Sequence, residues 1–390
     1  MGGTGIGTGT ARTGPRRAAP WGLLGMIALV AAVEAGVGRH EFDFSDNALA
    51  SWKHAAQAAR REARDAQVFC FGDSLVQLSV VPQLIEARTG RRTYNLSVTG
   101  GPPPASYFLL ERALAAGARP AAIVVDAKPN ILATRHEWLI RHYSYVADVR
   151  DCVGLARTCQ DPGLFAMVTL ARYLPSYRDR TPVRAAVVAA FGAGFASPRE
   201  KIAGRWRNLA LNRGGLVFPK NPAVADEVGP DEQMVYYPPT WIADPASRAY
   251  MNRFLALAES RGIPVFWIVP PISPRPQARR EALGLDSAFT RFVAAAQARY
   301  RNVTVVDGRH AGYHPKLFVD QSHLDRQGAT TFSVDLGDLI ARHLDHKATP
   351  ADASRWVDLP AYRDVPVGIP LEDINESQVA ATTARGGLRR

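Results

Sequence analysis

Short, unbroken apolar runs alternate with longer helix-like segments in the first third of the chain. The runs are rich in β-branched and aromatic residues, and most are followed by glycine, proline or polar residues. Such runs are typical of parallel strands covered on both faces, and the alternation predicts a βαβ series. The predicted strands are 68–71, 93–98 and 121–125, and the predicted helices are 47–65, 75–87 and 105–116.

The same alternation returns near the C-terminus after a stretch of different character. Residues 135–245 are rich in Arg, Ala, Pro and Tyr with helical patches, which predicts a helical insertion into the α/β domain or a cap over its face. Residues 347–390 have balanced charges, several prolines and few apolar residues, which predicts an extended or disordered tail. The later predicted elements are helices 246–260, 287–299 and 326–344 and strands 264–269 and 303–306.

These elements together predict a three-layer α/β/α sandwich with a parallel sheet, of the flavodoxin-like kind. Its first part covers 47–134 and its second part covers 246–346, with the helical insertion between them. The chain shows no internal repeat.

A basic segment precedes an apolar run at the N-terminus. Residues 1–20 are rich in Gly, Thr and Arg and are predicted to be disordered, and the apolar run at 21–38 is a signal anchor or a signal peptide. The run barely reaches the length of a bilayer span, and Val33-Glu34-Ala35 fits a cleavage site, so both alternatives stay open. Positive charge before the run predicts that the body of the protein lies outside the cytoplasm, secreted or anchored to the membrane.

The net charge and the cysteine content argue against a nucleic-acid-binding protein and against a small protein held together by disulfides. The formal net charge is +11, but the arginines are dispersed and form no cluster interleaved with aromatics, so we expect no nucleic-acid partner. Three cysteines are too few for a disulfide scaffold. Cys70 lies in an apolar run and is predicted to be a core thiol, whereas Cys152 and Cys159 are either a small-loop disulfide or two thiols.

Residues of the types used in catalysis follow four of the predicted strands. The carboxyl ends of parallel strands meet at one edge of a sheet, where sites form. A serine hydroxyl is a weak nucleophile until a base accepts its proton, and a histidine held by a carboxylate is such a base. The four blocks are Gly72-Asp73-Ser74, Gly100-Gly101, Lys128-Pro129-Asn130 and Asp320-Gln321-Ser322-His323.

In this order the blocks resemble those of the SGNH (GDSL-type) hydrolase family, which are Gly-Asp-Ser, a Gly, Gly-x-Asn and Asp-x-x-His. The resemblance covers about 68–132 and 250–345 and is clearest in the first and last blocks. It implies an enzyme that acts on acyl esters, with Ser74 as nucleophile, His323 as general base and Asp320 as the carboxylate that orients it.

The resemblance also implies the donors that stabilise the oxyanion. They are the backbone N–H groups of Ser74 and Gly100 and the side-chain amide of Asn130, with Gly101 as an adjacent alternative to Gly100. Ser74 begins a predicted helix, whose N-terminus favours developing negative charge.

The third block departs from the family pattern because Lys128 replaces its glycine and Ile131 its final aspartate. Lys128 either binds an anionic group or is solvated. With this altered block the chain looks more similar to the cell-envelope members of the family, which act on polysaccharides. The resemblance therefore implies acylated glycans as substrates. Hydrolysis of the ester is the first expectation. Transfer of the acyl group to a sugar, by the same triad, and non-catalytic binding of an envelope glycan are the alternatives.

Other kinds of site are not favoured. The chain has no Gly-x-Ser-x-Gly elbow, no P-loop and no dinucleotide-binding glycine pattern. His310 and His314 are four residues apart, but they lie among Gly, Tyr and Pro, where a loop rather than a helix face is expected. We therefore expect no cofactor and no metal. Residues 135–138 are interpreted as a solvated helix start that could also line a pocket rim.

Overall fold

The computed structural model describes residues 21–135, 139–192, 197–220, 226–345, 355–366 and 368–387. Within these ranges six strands form one parallel sheet of order β2-β1-β3-β4-β5-β6. This is the flavodoxin-like order extended by a sixth strand, which confirms the predicted α/β class. The predicted disordered segment 1–20 lies outside the described residues. The strands are β1 Val68–Phe71, β2 Thr93–Asn95, β3 Ala122–Val125, β4 Val265–Val269, β5 Val303–Asp307 and β6 Trp356–Asp358.

The central strands are apolar throughout because helices cover both faces of the sheet. Along β1, Phe69 and Phe71 pack into the core on one face, and Val68 and Cys70 pack into the core on the other. Side chains alternate between faces along a strand, so a strand buried on both sides has no polar positions.

Helices form the outer layers. Helices α3, α6, α15 and α17 cover one face, and α4, α5 and α18 cover the other. The helices before the insertion are α1 Trp21–Arg39, α2 Glu41–Phe44, α3 Asn47–Arg61, α4 Ser74–Ser79, α5 Pro82–Thr89, α6 Pro103–Ala115 and α7 Pro129–Ala133. Those after it are α15 Pro245–Ser260, α16 Pro274–Ala282, α17 Leu285–Arg299, α18 Arg326–Asp345 and α19 Ile374–Gly387.

The predicted insertion is helical in its described residues. Its helices α8, α9 and α10 pack outside the layer formed by α3, α6 and α15. The insertion therefore thickens one side of the sandwich, and its last helix brings Tyr236 to the sheet edge. The helices are α8 Ile140–Val146, α9 Val149–Cys159, α10 Pro162–Tyr173, α11 Pro175–Arg178, α12 Arg180–Ala190, α13 Arg199–Leu211 and α14 Gln233–Tyr236.

The prediction of an extended or disordered tail at 347–390 is wrong where β6 and α19 form, although residues 359–366 and 368–373 lie in neither a helix nor a strand. Strand β6 extends the sheet by pairing with β5, and α19 packs on α13. Polar contacts hold this region: Asn208 Nδ2 donates to Glu372 O at 2.9 Å, and Arg207 pairs with the Glu372 carboxylate at 2.7 Å. Apolar packing contributes as well, since Leu359 and Leu371 are buried in the core. Because these apolar residues are few and scattered, the composition resembled that of a disordered segment.

Helix α1 is the one candidate membrane span among the described residues. It has a mean hydropathy of 1.8 and no buried residue. Its length and composition suit a membrane span or a signal sequence. Cys152 and Cys159 both lie in α9, and no disulfide joins them.

Candidate active site

The turn after β1 presents Ser74 at the C-terminal edge of the sheet. Gly72 has φ +138°, and a Cβ there would overlap Asp126 Oδ1 and lie 2.9 Å from Val76 Cγ2. Only glycine fits this conformation and this space. Asp73 then caps α4, with its Oδ1 accepting the Leu75 N–H at 2.7 Å. The sequence Gly-Asp-Ser thus makes a sharp strand-to-helix turn that fixes Ser74 as the first residue of the helix.

A second turn, before α18, presents His323. Phe318 and Leu324 form an antiparallel bridge, and Val319 N donates to His323 O at 2.8 Å, which closes the turn. Inside it, Asp320 Oδ1 accepts the backbone N–H groups of Ser322 at 2.8 Å and His323 at 2.9 Å. The Asp-x-x-His spacing is therefore set by one carboxylate oxygen that organises the backbone between the two residues.

The two turns bring the three predicted catalytic residues into one hydrogen-bonded line. His323 Nε2 lies 2.8 Å from Ser74 Oγ, and His323 Nδ1 lies 2.6 Å from Asp320 Oδ2. If Nδ1 carries the proton and donates to Asp320, Nε2 is left to accept the Ser74 hydroxyl proton. This arrangement can activate the serine and hold the protonated imidazole that forms.

Asp320 is ionised at neutral pH. Burial alone would raise its pKa, but the hydrogen bond and positive charge of His323 and the two backbone N–H groups outweigh burial and lower the pKa to about 2. A permanent negative charge beside Nδ1 favours the tautomer that leaves Nε2 free to act as a base.

The loop after β2 holds the predicted oxyanion donor Gly100. Thr99 fixes this loop, because its carbonyl accepts Trp52 Nε1 at 2.9 Å and its hydroxyl donates to Gln77 Oε1 at 2.9 Å. Gly101 N donates to Val98 O at 2.8 Å, so that N–H is already used. This favours Gly100, at φ +65°, over Gly101 as the donor.

Gly101 has a packing role of its own. A Cβ on this residue would lie 2.8 Å from Gly72 O. The close approach of the two loops therefore requires glycine at 101, whether or not its N–H takes part in chemistry.

Asn130, the third predicted donor, lies in α7 in the wall of a pocket that Leu75 also lines. Its Oδ1 is buried without a hydrogen-bond partner among the described residues. The backbone around it is held, since Trp241 Nε1 donates to Pro129 O at 2.7 Å and Thr134 Oγ1 donates to Asn130 O at 2.7 Å. The side-chain carbonyl is thus uncommitted while its position is fixed.

The cavity itself is small, about 40 Å³, and lies within a recess of about 540 Å³ of empty space that includes open solvent. Apolar side chains such as Ile268, Ile272 and Phe289 form much of its wall. At one side Arg280 pairs with Asp286 at 2.9 Å, and Arg280 Nη2 has no partner in the part of the chain that the structure describes. The pocket wall is therefore mostly apolar, with the buried guanidinium of Arg280 at one side.

Lys128 does not extend into solvent, so the solvated alternative of the sequence analysis is wrong, whereas the binding of an anionic group stays a prediction. Its Nζ donates to Tyr236 OH at 3.0 Å and to Ser322 Oγ at 3.2 Å, and the two hydroxyls lie 3.0 Å apart. Ser322 Oγ in turn lies 3.3 Å from Asp320 Oδ1. A polar chain thus links the third block to the triad carboxylate.

Lys128 is cationic in this network. Burial lowers its pKa, but the oxygen of Tyr236 and the carboxylates of Asp73 and Asp320 outweigh burial and raise it overall. Tyr236 comes from the end of the insertion, 108 residues away in sequence from Lys128. No motif marks it, so the sequence gives no sign of its place in the site.

Two buried carboxyl groups lie directly behind Ser74. Asp126 Oδ1 accepts the Asp73 N–H at 3.4 Å, and both residues are almost fully buried. Burial, followed by the charge of Asp73, raises the pKa of Asp126 well above its usual value, and burial also raises that of Asp73. Of the two carboxyl groups, Asp126 therefore has the stronger tendency to hold a proton. Both residues follow neighbouring parallel strands, a signal that could have paired them from sequence.

The other candidate groups lie apart from this arrangement. His310 pairs with Glu281 at 3.2 Å, and His314 Nδ1 accepts the Lys316 N–H at 3.2 Å. Among the described residues, no group of three or more His, Cys, Asp or Glu could hold a metal ion. Arg135 is exposed, and residues 136–138 lie outside the described ranges.

No model of a known protein family matches the chain, and no curated protein is significantly similar to it. The comparison of the four sequence blocks with SGNH hydrolases therefore stays an interpretation. What the fold and the site define together is a parallel α/β protein with a Ser–His–Asp line at the carboxyl edge of its sheet.

Proposed function

We propose that this protein is a serine-dependent enzyme of the SGNH type that cleaves acyl esters. The observation that carries the proposal is the continuous line Ser74 Oγ–His323 Nε2 at 2.8 Å and His323 Nδ1–Asp320 Oδ2 at 2.6 Å. The line joins residues 249 positions apart in the chain, and it lies at the sheet edge where α/β proteins bind ligands.

The proposed reaction has two halves. Ser74 Oγ attacks the ester carbonyl as its proton passes to His323 Nε2, and the negative oxygen is held by the N–H groups of Ser74 and Gly100 and the amide of Asn130. The C–O bond to the alcohol then breaks, and His323 returns the proton to the leaving oxygen. In the second half His323 takes a proton from the acceptor, which attacks the acyl–Ser74 ester. The bond from the acyl carbon to Ser74 Oγ then breaks, and His323 returns the proton to Oγ, which restores the free serine.

The acceptor decides between hydrolase and transferase. Water gives a free acid, and a sugar hydroxyl gives a new ester. We propose hydrolysis of acylated envelope glycans as the main activity and O-acyl transfer as the alternative, since the same three side chains serve both.

We further propose that α1 is an uncleaved anchor that holds the catalytic domain outside the cytoplasm. The carboxylate of Glu34 accepts hydrogen bonds from Ser176 N, at 2.8 Å, and from Ser176 Oγ. Gly38 lies against Pro175, whose Cγ would be 3.6 Å from a Cβ on the glycine. Cleavage after Ala35 would remove the Glu34 contact, which argues for retention. Basic residues before α1 favour an outward-facing body.

Labelling with a fluorophosphonate tests the nucleophile. The probe forms a bond from phosphorus to an activated serine oxygen and expels fluoride. We expect the wild-type protein to be labelled, Ser74→Ala and His323→Gln to be unlabelled, and the matched control Ser260→Ala, at an exposed serine, to be labelled like the wild type. Equal labelling of the wild type and Ser74→Ala would exclude Ser74 as the activated serine.

Product analysis then separates the two reactions. The protein is incubated with an acetylated oligosaccharide, with and without an unacetylated acceptor, and the products are identified by mass spectrometry. Free acetate supports the hydrolase, and an acetylated acceptor supports the transferase. If Ser74→Ala gives the same products at the same rate, neither activity belongs to this site.

A further inference from the structure

Helix α12, in the insertion, has an exposed apolar surface. None of its residues is buried, and Val188 and Phe191, which caps its C-terminus, are exposed by 65% and 89%. Tyr173, at the end of α10, is exposed by 62%. Exposed apolar side chains grouped in this way indicate a surface that contacts something less polar than water.

The exposed arginines and bulky apolar residues of α12 and its C-terminal cap lie on one side of the helix, although Thr181, Ala185 and Ala190 are exposed as well. Val187, Val188 and Phe191 lie three, four and seven positions after Arg184, and Arg180 lies four positions before it. Residues with these spacings are neighbours on a helix. The face therefore has two exposed arginines towards its N-terminal end and bulky apolar side chains towards its C-terminal end.

Helix α12 lies close to the C-terminal end of α1, the candidate membrane span. The preceding short helix α11 packs on the C-terminal end of α1 through Pro175 and Ser176, and α12 begins at Arg180, two residues after α11 ends. α1 itself is apolar and has no buried residue. If α1 lies in a bilayer, α12 leaves the body of the protein where α1 emerges from the lipid.

We propose that α12 is a second membrane contact that lies on the lipid surface beside α1. Val187, Val188 and Phe191 insert among the acyl chains near the headgroups, and Arg180 and Arg184 bind lipid phosphates. A helix whose exposed side has arginines at one end and bulky apolar residues at the other suits such an interface.

A second membrane contact would fix the orientation of the domain on the membrane. One anchor helix leaves the domain able to rotate about its axis, whereas two contacts fix which side of the sandwich faces the lipid. This proposal depends on α1 as an anchor and not on the chemistry of Ser74, so the two can fail separately.

The test uses the full chain in vesicles of phosphatidylcholine and phosphatidylglycerol. Phe191→Cys is labelled with the environment-sensitive fluorophore nitrobenzoxadiazole in a Cys159→Ser background, since Cys70 and Cys152 are almost fully buried. The matched control is Leu283→Cys, also exposed, at the end of α16, which packs on α17. We expect lipids with a spin label in the acyl chain to quench the label at 191 several-fold more than the label at 283.

Two outcomes would overturn the proposal. One is equal quenching at both positions. The other is energy transfer between labelled copies at 191 without quenching by lipid, which would show that a second copy of the chain covers this face. A further variant, Arg180→Glu with Arg184→Glu, should reduce quenching at 191 and leave labelling of Ser74 by the fluorophosphonate unchanged, because neither arginine lies near the triad.

Discussion

The two turns that form the triad are held in different ways. The Ser74 turn grows directly out of a buried strand, needs a glycine conformation at Gly72, and rests on the buried carboxyl groups of Asp73 and Asp126. The turn from Asp320 to His323 is partly exposed and is organised by hydrogen bonds to the carboxylate of Asp320 itself. Ser74, the proposed nucleophile, is therefore positioned by the fold, whereas His323, the proposed base, is positioned by local polar contacts.

Because the two turns are held differently, substitutions in them should affect different properties of the protein. Changes behind Ser74 disturb close packing and should lower the stability of the whole domain. Changes around His323 disturb a few hydrogen bonds of a partly exposed turn and should lower activity while the fold persists.

Removing Ser74 and His323 separately and together tests whether the two turns act as one chemical unit. We expect Ser74→Ala and His323→Gln each to lower kcat by about 10³–10⁶-fold, and the double variant to lower it no further, because neither residue works without the other. The measurement is ester hydrolysis with thermal unfolding alongside. Losses that multiply in the double variant would show that the two residues act independently.

Gly72→Ala tests the claim that the fold positions the nucleophile. The added Cβ would meet Asp126 Oδ1 and Val76 Cγ2, and alanine rarely adopts φ +138°. We expect the free energy of unfolding to fall by about 3 kcal/mol or more, measured by denaturant titration.

Gly90→Ala is the matched control for that variant. Gly90 also has a positive φ, of +65°, but no atom lies within 4 Å of a Cβ built there. It should cost only about 1–2 kcal/mol, the price of the left-handed conformation alone. Equal losses in the two variants would mean that the packing against Asp126 contributes nothing.

Lys128→Met and Tyr236→Phe test the polar contacts around the His323 turn. Each removes hydrogen bonds in the chain that leads through Ser322 to Asp320, and we expect kcat to fall about 10-fold with little change in KM. Lys316→Met, which removes an exposed lysine just before the same turn, should leave kcat unchanged. A fall in stability without a change in kcat would assign Lys128 and Tyr236 a structural role only.

The features of this protein that can be predicted from its sequence are those that depend on residues close together in the chain. β1 and β3 are predictable because burial on both faces leaves a run of apolar residues, and Asp320 and His323 because their contact lies within four residues. The sequence analysis included Gly72 only as part of the Gly-Asp-Ser motif. The structure gives the reason for the glycine, because a Cβ at this position would overlap the carboxyl group of Asp126.

The features that the sequence did not predict depend on distant partners. Tyr236 reaches Lys128 from 108 residues away, and no periodicity marks it. β6 has three residues, none of them buried, and the tail that carries it is held partly by polar pairs such as Arg207 with Glu372. Composition alone cannot distinguish such a segment from a disordered one.

The carboxyl groups on the two sides of the site should respond to pH with opposite signs. The pKa of Asp320 is lowered from 3.8 to about 2, so its charged form stabilises the fold above pH 4, and this contribution is lost as the pH falls towards 2. The shift corresponds to about 2.4 kcal/mol before screening, and the 42% exposure of the side chain reduces it to about 1 kcal/mol.

Asp126 has a raised pKa, so its neutral form belongs to the fold, and the protein loses stability as the pH rises above the unfolded value of about 4 towards the folded pKa. Denaturant titrations from pH 2 to pH 8 on Asp320→Asn and Asp126→Asn measure both effects. Relative to the wild type, Asp320→Asn should become less stable as the pH rises, and Asp126→Asn should become more stable. Because both substitutions keep the shape of the side chain, slopes of the same sign would show that the two turns do not differ in electrostatics, and the contrast between them would then depend on packing alone.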